Sequence, residues 1–111
     1  MAYEVILLDS AQEFIVGLPN KLRAKTLRTI DLLEDFGPFL SMPHNRKLAG
    51  HDLWELRVKQ GNDICRLSYF YHRDAVFVVT SGYVKKTNRT SRREIDRAER
   101  LKSKFLSEEI Q

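Results

Sequence analysis

Three strand-like runs separated by very short turns constrain this chain more than any other feature: Leu53 to Lys59, Asp63 to Tyr71 and Ala75 to Tyr83, with turns at Gly61-Asn62 and Arg73-Asp74. Turns that short join neighbouring antiparallel strands, so the runs form a meander. A two-residue loop at Gly61-Asn62 pairs Gln60 with Asp63, which sets Trp54 against Tyr69, Leu56 against Leu67 and Val58 against Cys65 as one apolar face. On the other face Glu55 opposes Ser68 and Arg57 opposes Arg66. A loop at Arg73-Asp74, treated the same way, places Ser81 opposite Arg66 and Tyr83 on that face.

Upstream, Tyr3 to Leu8 reads as a strand, ended by Asp9-Ser10, which can cap a helix from about Ser10 to Val16. After a break at Gly17-Leu18-Pro19, with Pro19 suited to a first helical position, Leu22, Leu27, Ile30, Leu33 and Phe36 recur at helical spacing until Gly37-Pro38. Phe39 to Asp52 has no period and reads as a loop carrying His44, Arg46, Lys47 and His51. Ser91-Arg92-Arg93-Glu94 has capping-box spacing before a last helix with an apolar stripe at Ile95, Ala98, Leu101, Phe105 and Leu106. The order β-α-α-β-β-β-α predicts an α+β fold, and a chain of 111 residues suits a single domain over 1–111.

Composition narrows the function classes. No apolar stretch approaches a membrane span and the N-terminus lacks the form of a signal peptide, so a cytoplasmic protein is expected. Cys65 is the one cysteine, and His44, His51 and His72 stand apart, so neither a disulfide, a metal nor any cofactor is expected. The net charge of +4 is local: Lys85 to Lys104 holds nine Lys/Arg against three acidic residues, a net +6, and the rest of the chain is −2. Such a segment suits a polyanion-binding surface, or equally a solvated helix face.

Two arginines directly across a strand pair repel, so Arg57 and Arg66 invite an anion between them. Two readings follow: Glu55 neutralises the pair as a network, or the face binds a phosphodiester through Arg57, Arg66, Ser81 and Tyr83, with Lys85 and Lys86 at its edge. Guanidinium groups grip phosphate oxygens and stabilise a pentavalent transition state. Tyr83 can stack on a base, or is simply a strand aromatic. Lys85 or Lys86, crowded by cations, is a candidate for taking the proton of an RNA 2′-hydroxyl, with Glu55 the carboxylate alternative. His44 and His51 read as surface histidines, and His72 has no role.

Lys47-Leu48-Ala49-Gly50, Leu53-Trp54-Glu55-Leu56-Arg57, Cys65-Arg66-Leu67-Ser68-Tyr69-Phe70 and Gly82-Tyr83-Val84-Lys85-Lys86-Thr87-Asn88-Arg89-Thr90 with Glu94-Ile95 and Ala98 together resemble the successive signatures of HigB-type toxins of the RelE/ParE superfamily. The resemblance implies two N-terminal helices on one face of a small, mostly antiparallel sheet, with the first strand parallel to the last, and a concave opposite face that binds mRNA on the ribosome. It implies a toxin of a type II toxin–antitoxin system: a metal-independent endoribonuclease in which the 2′-hydroxyl attacks the adjacent phosphate, inhibiting translation. Arg57 and Arg66 would contact phosphate and stabilise the transition state, Lys85 and Lys86 contact phosphate or transfer a proton, and Tyr83 occupy an aromatic motif position. Arg46, Lys47, Arg89, Arg92 and Arg93 are the expected RNA-binding cations. Expected partners are mRNA, the ribosome and a helix-turn-helix antitoxin of HigA type, through which the complex would reach operator DNA. Ser81 and Ser91 depart from the His and Pro common at those motif positions, which leaves the acid–base groups open. Two other classes remain: a ParE-like non-catalytic inhibitor of DNA gyrase, because one fold hosts both activities, and a plain nucleic-acid-binding module.

Overall fold

The computed structural model describes residues 2–41, 43–85 and 90–110, with the side chain of residue 110 left aside. Its elements are β1 (Glu4–Leu7), α1 (Asp9–Val16), α2 (Asn20–Phe36), a 3₁₀ turn at Gly37–Phe39, β2 (Asn45–Lys47), β3 (Trp54–Gln60), β4 (Asp63–Arg73), β5 (Val76–Lys85) and α3 (Arg92–Ile110). This is the expected α+β order with one added strand. The sheet runs β1-β5-β4-β3-β2, with β1 parallel to β5 and the other pairings antiparallel.

The first hairpin has the predicted register throughout, from Gln60 opposite Asp63 to Trp54 opposite Tyr69. Gly61, at φ 62°, occupies the first central position, where a tight hairpin turn requires the left-handed region. The second hairpin differs. Its turn is Asp74-Ala75, both at positive φ, and Arg73 pairs with Val76. Two irregularities then compensate: the register shifts between Tyr71 and Arg73 and again between Ser68 and Tyr69. Their net effect sets Tyr83, not Ser81, opposite Arg66, and Ser81 opposite Ser68. Because the displacement is two residues, both side chains stay on the predicted face.

The helical layer also departs from expectation. No side chain caps α1, since Leu8 is its N-cap residue and the Ser10 hydroxyl instead donates to the Thr80 carbonyl. In α2 the buried positions are Leu22, Thr26, Thr29, Ile30 and Leu33, whereas Leu27 and Phe36 are exposed. The threonines serve there because their hydroxyls find partners: Thr29 Oγ1 donates to the Lys25 carbonyl at 2.9 Å and Thr26 Oγ1 to Cys65 Sγ at 3.7 Å. Strand β2, missed in the sequence, has three polar residues and no period. Its Asn45 points into the core, where Nδ2 donates to Tyr69 Oη at 3.0 Å.

The sheet carries apolar clusters on both faces. Under it, Ala11, Ile15, Ile30 and Leu33 of α1 and α2 pack on Leu56, Leu67, Tyr69, Phe77 and Val79. Over it, Ala98 with Ile95, Phe105 and Leu106 of α3 covers Leu48, Leu53, Phe70 and Val78. The final helix therefore occupies one end of the face expected to be open. The polar residues of that face occupy the remainder.

Candidate functional site

Strand alternation and register arrange the polar face as two rows. Arg46, Glu55, Ser68 and Ser81 are successive cross-strand neighbours in one, and Arg57, Arg66 and Tyr83 in the other. The rows form a floor more than a surface. Glu55 and Arg66 are each 0% exposed, while Arg57 and Tyr83 are partly exposed. A strand central in the sheet, with a helix over one end, leaves little room for water above Arg66.

A buried charge must be paired, and Glu55 supplies the pairing. Its Oε1 accepts from Arg66 at 2.9 Å and from Arg46 at 3.2 Å, and its Oε2 accepts from the Thr90 hydroxyl at 2.8 Å. Thr90 Oγ1 also accepts from Arg66 at 3.2 Å and from Arg46 at 3.4 Å. Both readings of Glu55 thus meet in one geometry: the carboxylate neutralises Arg66 and Arg46, and it holds them in fixed positions beside Arg57. Burial pushes the Arg57 pKa down, and the Arg66 and Arg46 guanidinium groups push it the same way, against Glu55 and Tyr83. Arg57 therefore stands in a field that favours an anion.

Burial raises the Tyr83 pKa, so the phenol is neutral at physiological pH; Glu55 and Glu94 add to the rise, and Thr90 and Arg66 oppose it. Among the described residues, the buried Tyr83 Oη and Glu94 Oε1 have no hydrogen-bond partner. The hydroxyl points inward, which leaves the ring as the part of Tyr83 that meets solvent. Ser91 caps α3 as its spacing predicts, with Oγ accepting from the Glu94 amide at 3.4 Å.

Beside the rows lies a cavity of ≈ 1090 Å³ between β2 and α3, lined by Arg46, Lys47, Lys85, Thr90, Arg92 and Ile95 among others. Lys85, Arg46 and Arg92 are thus brought together. Lys47 borders the cavity, but alternation turns its side chain to the opposite sheet face, with Nζ 6.0 Å from the Trp54 ring centroid. Arg92 is held toward Asp96 at 3.3 Å and Arg93 is exposed outside the cavity. Lys86 and Arg89 lie outside the described residues. Among the described residues, no group of His, Cys, Asp and Glu is arranged to hold a metal ion, and no helix is long and apolar enough to cross a membrane.

Sequence reasoning missed Thr90, whose hydroxyl ties the carboxylate to both arginines, and it treated Glu94 only as a cap. The available signal was their place in the stretch after Tyr83, where a small hydroxyl residue sits among cations.

Comparisons with known proteins agree with this architecture. An archaeal RelE in a RelE–RelB complex from Pyrococcus horikoshii OT3 superposes with a TM-score of 0.57 at 22% identity, over 80% of this chain and 100% of that one. A double arginine-to-alanine mutant of the E. coli toxin RelE in the free state superposes with a TM-score of 0.58 at 20% identity, over 74% of this chain and 82% of that one. The fold is RelE-like. No curated protein sequence matches significantly. The model of the phage-derived Gp49-like proteins (DUF891) matches residues 13–103, most of the chain, and the protein belongs to that family.

Proposed function

We propose that this protein is the toxin of a type II toxin–antitoxin pair, of HigB type, and that it inhibits translation by cutting mRNA on the ribosome. The observation that carries the reading is the row Arg57, Arg66, Tyr83, pinned by Glu55 and bordered by the cavity that holds Arg46, Lys85 and Arg92. RelE-like proteins include one named a toxin and one paired with RelB, which supports an antitoxin partner here.

In this mechanism the partly exposed Arg57 grips the scissile phosphate, and Arg66 supplies positive field from beneath it. The 2′-oxygen bonds to phosphorus as the bond to the 5′-oxygen breaks, and the added negative charge develops in front of two guanidinium groups that need not reorganise. The Tyr83 ring stacks on a base. Lys85 and Lys86 are the proton-transfer candidates, since the hydrogen bonds of Glu55 are committed to Arg46, Arg66 and Thr90.

One observation favours a second reading: Glu55 already serves as the anion for Arg66 and Arg46. A non-catalytic inhibitor of DNA gyrase needs no vacant phosphate site. Induced expression followed by primer extension on a reporter mRNA separates the two. New 5′ ends within codons, abolished by Arg57→Gln, are expected. Intact mRNA accompanied by double-strand DNA breaks overturns the nuclease reading. Arg57→Gln is the informative variant because Arg66→Ala would also strand a buried Glu55.

A further inference from the structure

Strand β2 covers only part of the edge of β3. The last edge contact is the Arg57 amide donating to the His44 carbonyl at 2.9 Å, and β3 continues to Gln60 without a neighbour on that side. A cavity of ≈ 290 Å³ occupies this corner, lined by Lys25 and Thr29 from α2, His44, and Arg57, Lys59 and Ile64 from the sheet, among others. Lys25 Nζ donates to the Lys59 carbonyl and closes the corner from the helix side.

Three cations converge here, and none of the described residues that line the cavity is acidic. Like charges so arranged repel and form a focus of positive potential. Arg57 belongs to both this corner and the row with Arg66 and Tyr83. Lys59 follows Arg57 by two residues on the same sheet face, about 6.6 Å along the strand. That separation matches the spacing of neighbouring phosphates along a nucleotide strand. The volume is small for a whole nucleotide and ample for a phosphate with part of its ribose.

We propose that the corner between α2 and the open end of β3 is a phosphate subsite for the RNA strand, seating through Lys25 and Lys59 the phosphate next to the one at Arg57. The inference rests on the RNA-cutting reading above. It gives the strand a direction, from the large cavity beside β2 and α3, across Arg57, and off the sheet at the edge of β3.

The test measures binding of a short single-stranded oligoribonucleotide, 2′-O-methylated so that it cannot be cleaved, by fluorescence anisotropy across a salt series. Lys25→Gln/Lys59→Gln is compared with wild type and with Lys21→Gln/Arg28→Gln, which removes the same charge from exposed positions of α2 outside the corner. The expected result is an affinity about ten-fold lower at low salt. The plot of log K against log salt should be shallower by about 1.4, at roughly 0.7 per phosphate contact on a single strand. The control pair should leave that slope unchanged. An unchanged slope in the corner variant, with wild type binding normally, overturns the subsite alone. Equal losses in both pairs overturn it too, by showing a general charge effect. Wild type that fails to bind the oligonucleotide overturns the underlying reading together with the subsite. Circular dichroism checks folding, and Lys59→Gln alone, with an expected slope change of about 0.7, serves if the double variant does not fold.

Discussion

Glu55 has no exposed surface, and its oxygens accept from Arg66, Arg46 and Thr90. Removing one member of a buried ion pair leaves its partner charged and unsolvated, at a cost of about 3–5 kcal/mol. Glu55→Ala should therefore lower stability by about that amount in urea unfolding followed by Trp54 fluorescence, and Glu55→Gln, which keeps an acceptor and the shape, by less. Replacing both partners by apolar residues of similar volume should recover much of the loss, because the penalty comes from the stranded charge. Such a Glu55→Leu/Arg66→Met variant should fold and yet produce no mRNA cleavage. A stable variant that still cuts mRNA would remove Arg66 from the mechanism. Cys65 offers a second residue-scale test. Burial pushes its thiol up to about 11, so it remains protonated across the physiological range. Labelling by a thiol-disulfide reagent at neutral pH should be blocked in the native protein and should appear only at the rate of unfolding, since the thiolate is the reactive form.

Among the elements, β5 shows how closely the layers meet. A Cβ at Gly82 would strike the Phe14 ring, and would lie 2.6 Å from Leu67 Cδ2, so α1 can seat only because this position carries no side chain. Gly82→Ala should destabilise by about 1–3 kcal/mol through overpacking, measured by thermal or urea unfolding, with the secondary structure kept. The end of α3 is fastened differently: Glu109 accepts from His72 at 2.7 Å and from Arg73 at 2.8 Å. The hydrogen bond from His72 is the main cause that holds the Glu109 pKa below its usual value. A depressed carboxylate stabilises above its unfolded pKa and loses that contribution as pH falls through the folded one. Amide exchange in the last turn of α3 should quicken as pH drops below the usual carboxylate range, and Glu109→Gln should remove that dependence. These elements also show what was legible beforehand. The Gly61-Asn62 turn dictates register because a two-residue loop admits only one pairing, and every partner of β3 and β4 follows from it. The second hairpin was displaced because Ala75 takes a left-handed conformation that its residue type does not advertise, and because compensating bulges carry no sequence mark. Strand β2 was invisible, since three residues hold no period and its pairing is backbone chemistry. The stripe of α2 misled at Leu27 and Phe36 because Thr26 and Thr29 satisfy their hydroxyls locally and take the buried positions. In the site, the facing arginines and Tyr83 were readable as a face; their burial, and the hold of Thr90 on the carboxylate, depend on where α3 crosses the sheet.

At the scale of the whole molecule, β5 lies between two cores. Phe77 and Val79 belong to the cluster under the sheet and Val78 to the one over it, so consecutive residues of one strand connect both helical layers. The polar rows are enclosed by the same arrangement, because the end of the face that α3 covers is apolar and the end it leaves is charged. Loss of either layer should release β5, and with it the floor that positions Arg57. Unfolding is accordingly expected to be a single transition: Trp54 fluorescence, which reports the lower layer, and far-UV circular dichroism, which weights the helices, should coincide in urea, with a slope of about 1–3 kcal/mol per molar. Phe105→Ala strips an aromatic ring that packs on Phe70 at 6.1 Å between centroids. It should lower the common midpoint, by about 3 kcal/mol or somewhat less for a side chain that is only partly buried, and keep the two probes superimposed. Probes that separate in this variant, with the Trp54 signal retained after the helical signal falls, would mean that α3 is a separable lid; the arrangement of Arg57, Arg66 and Tyr83 would then not depend on it.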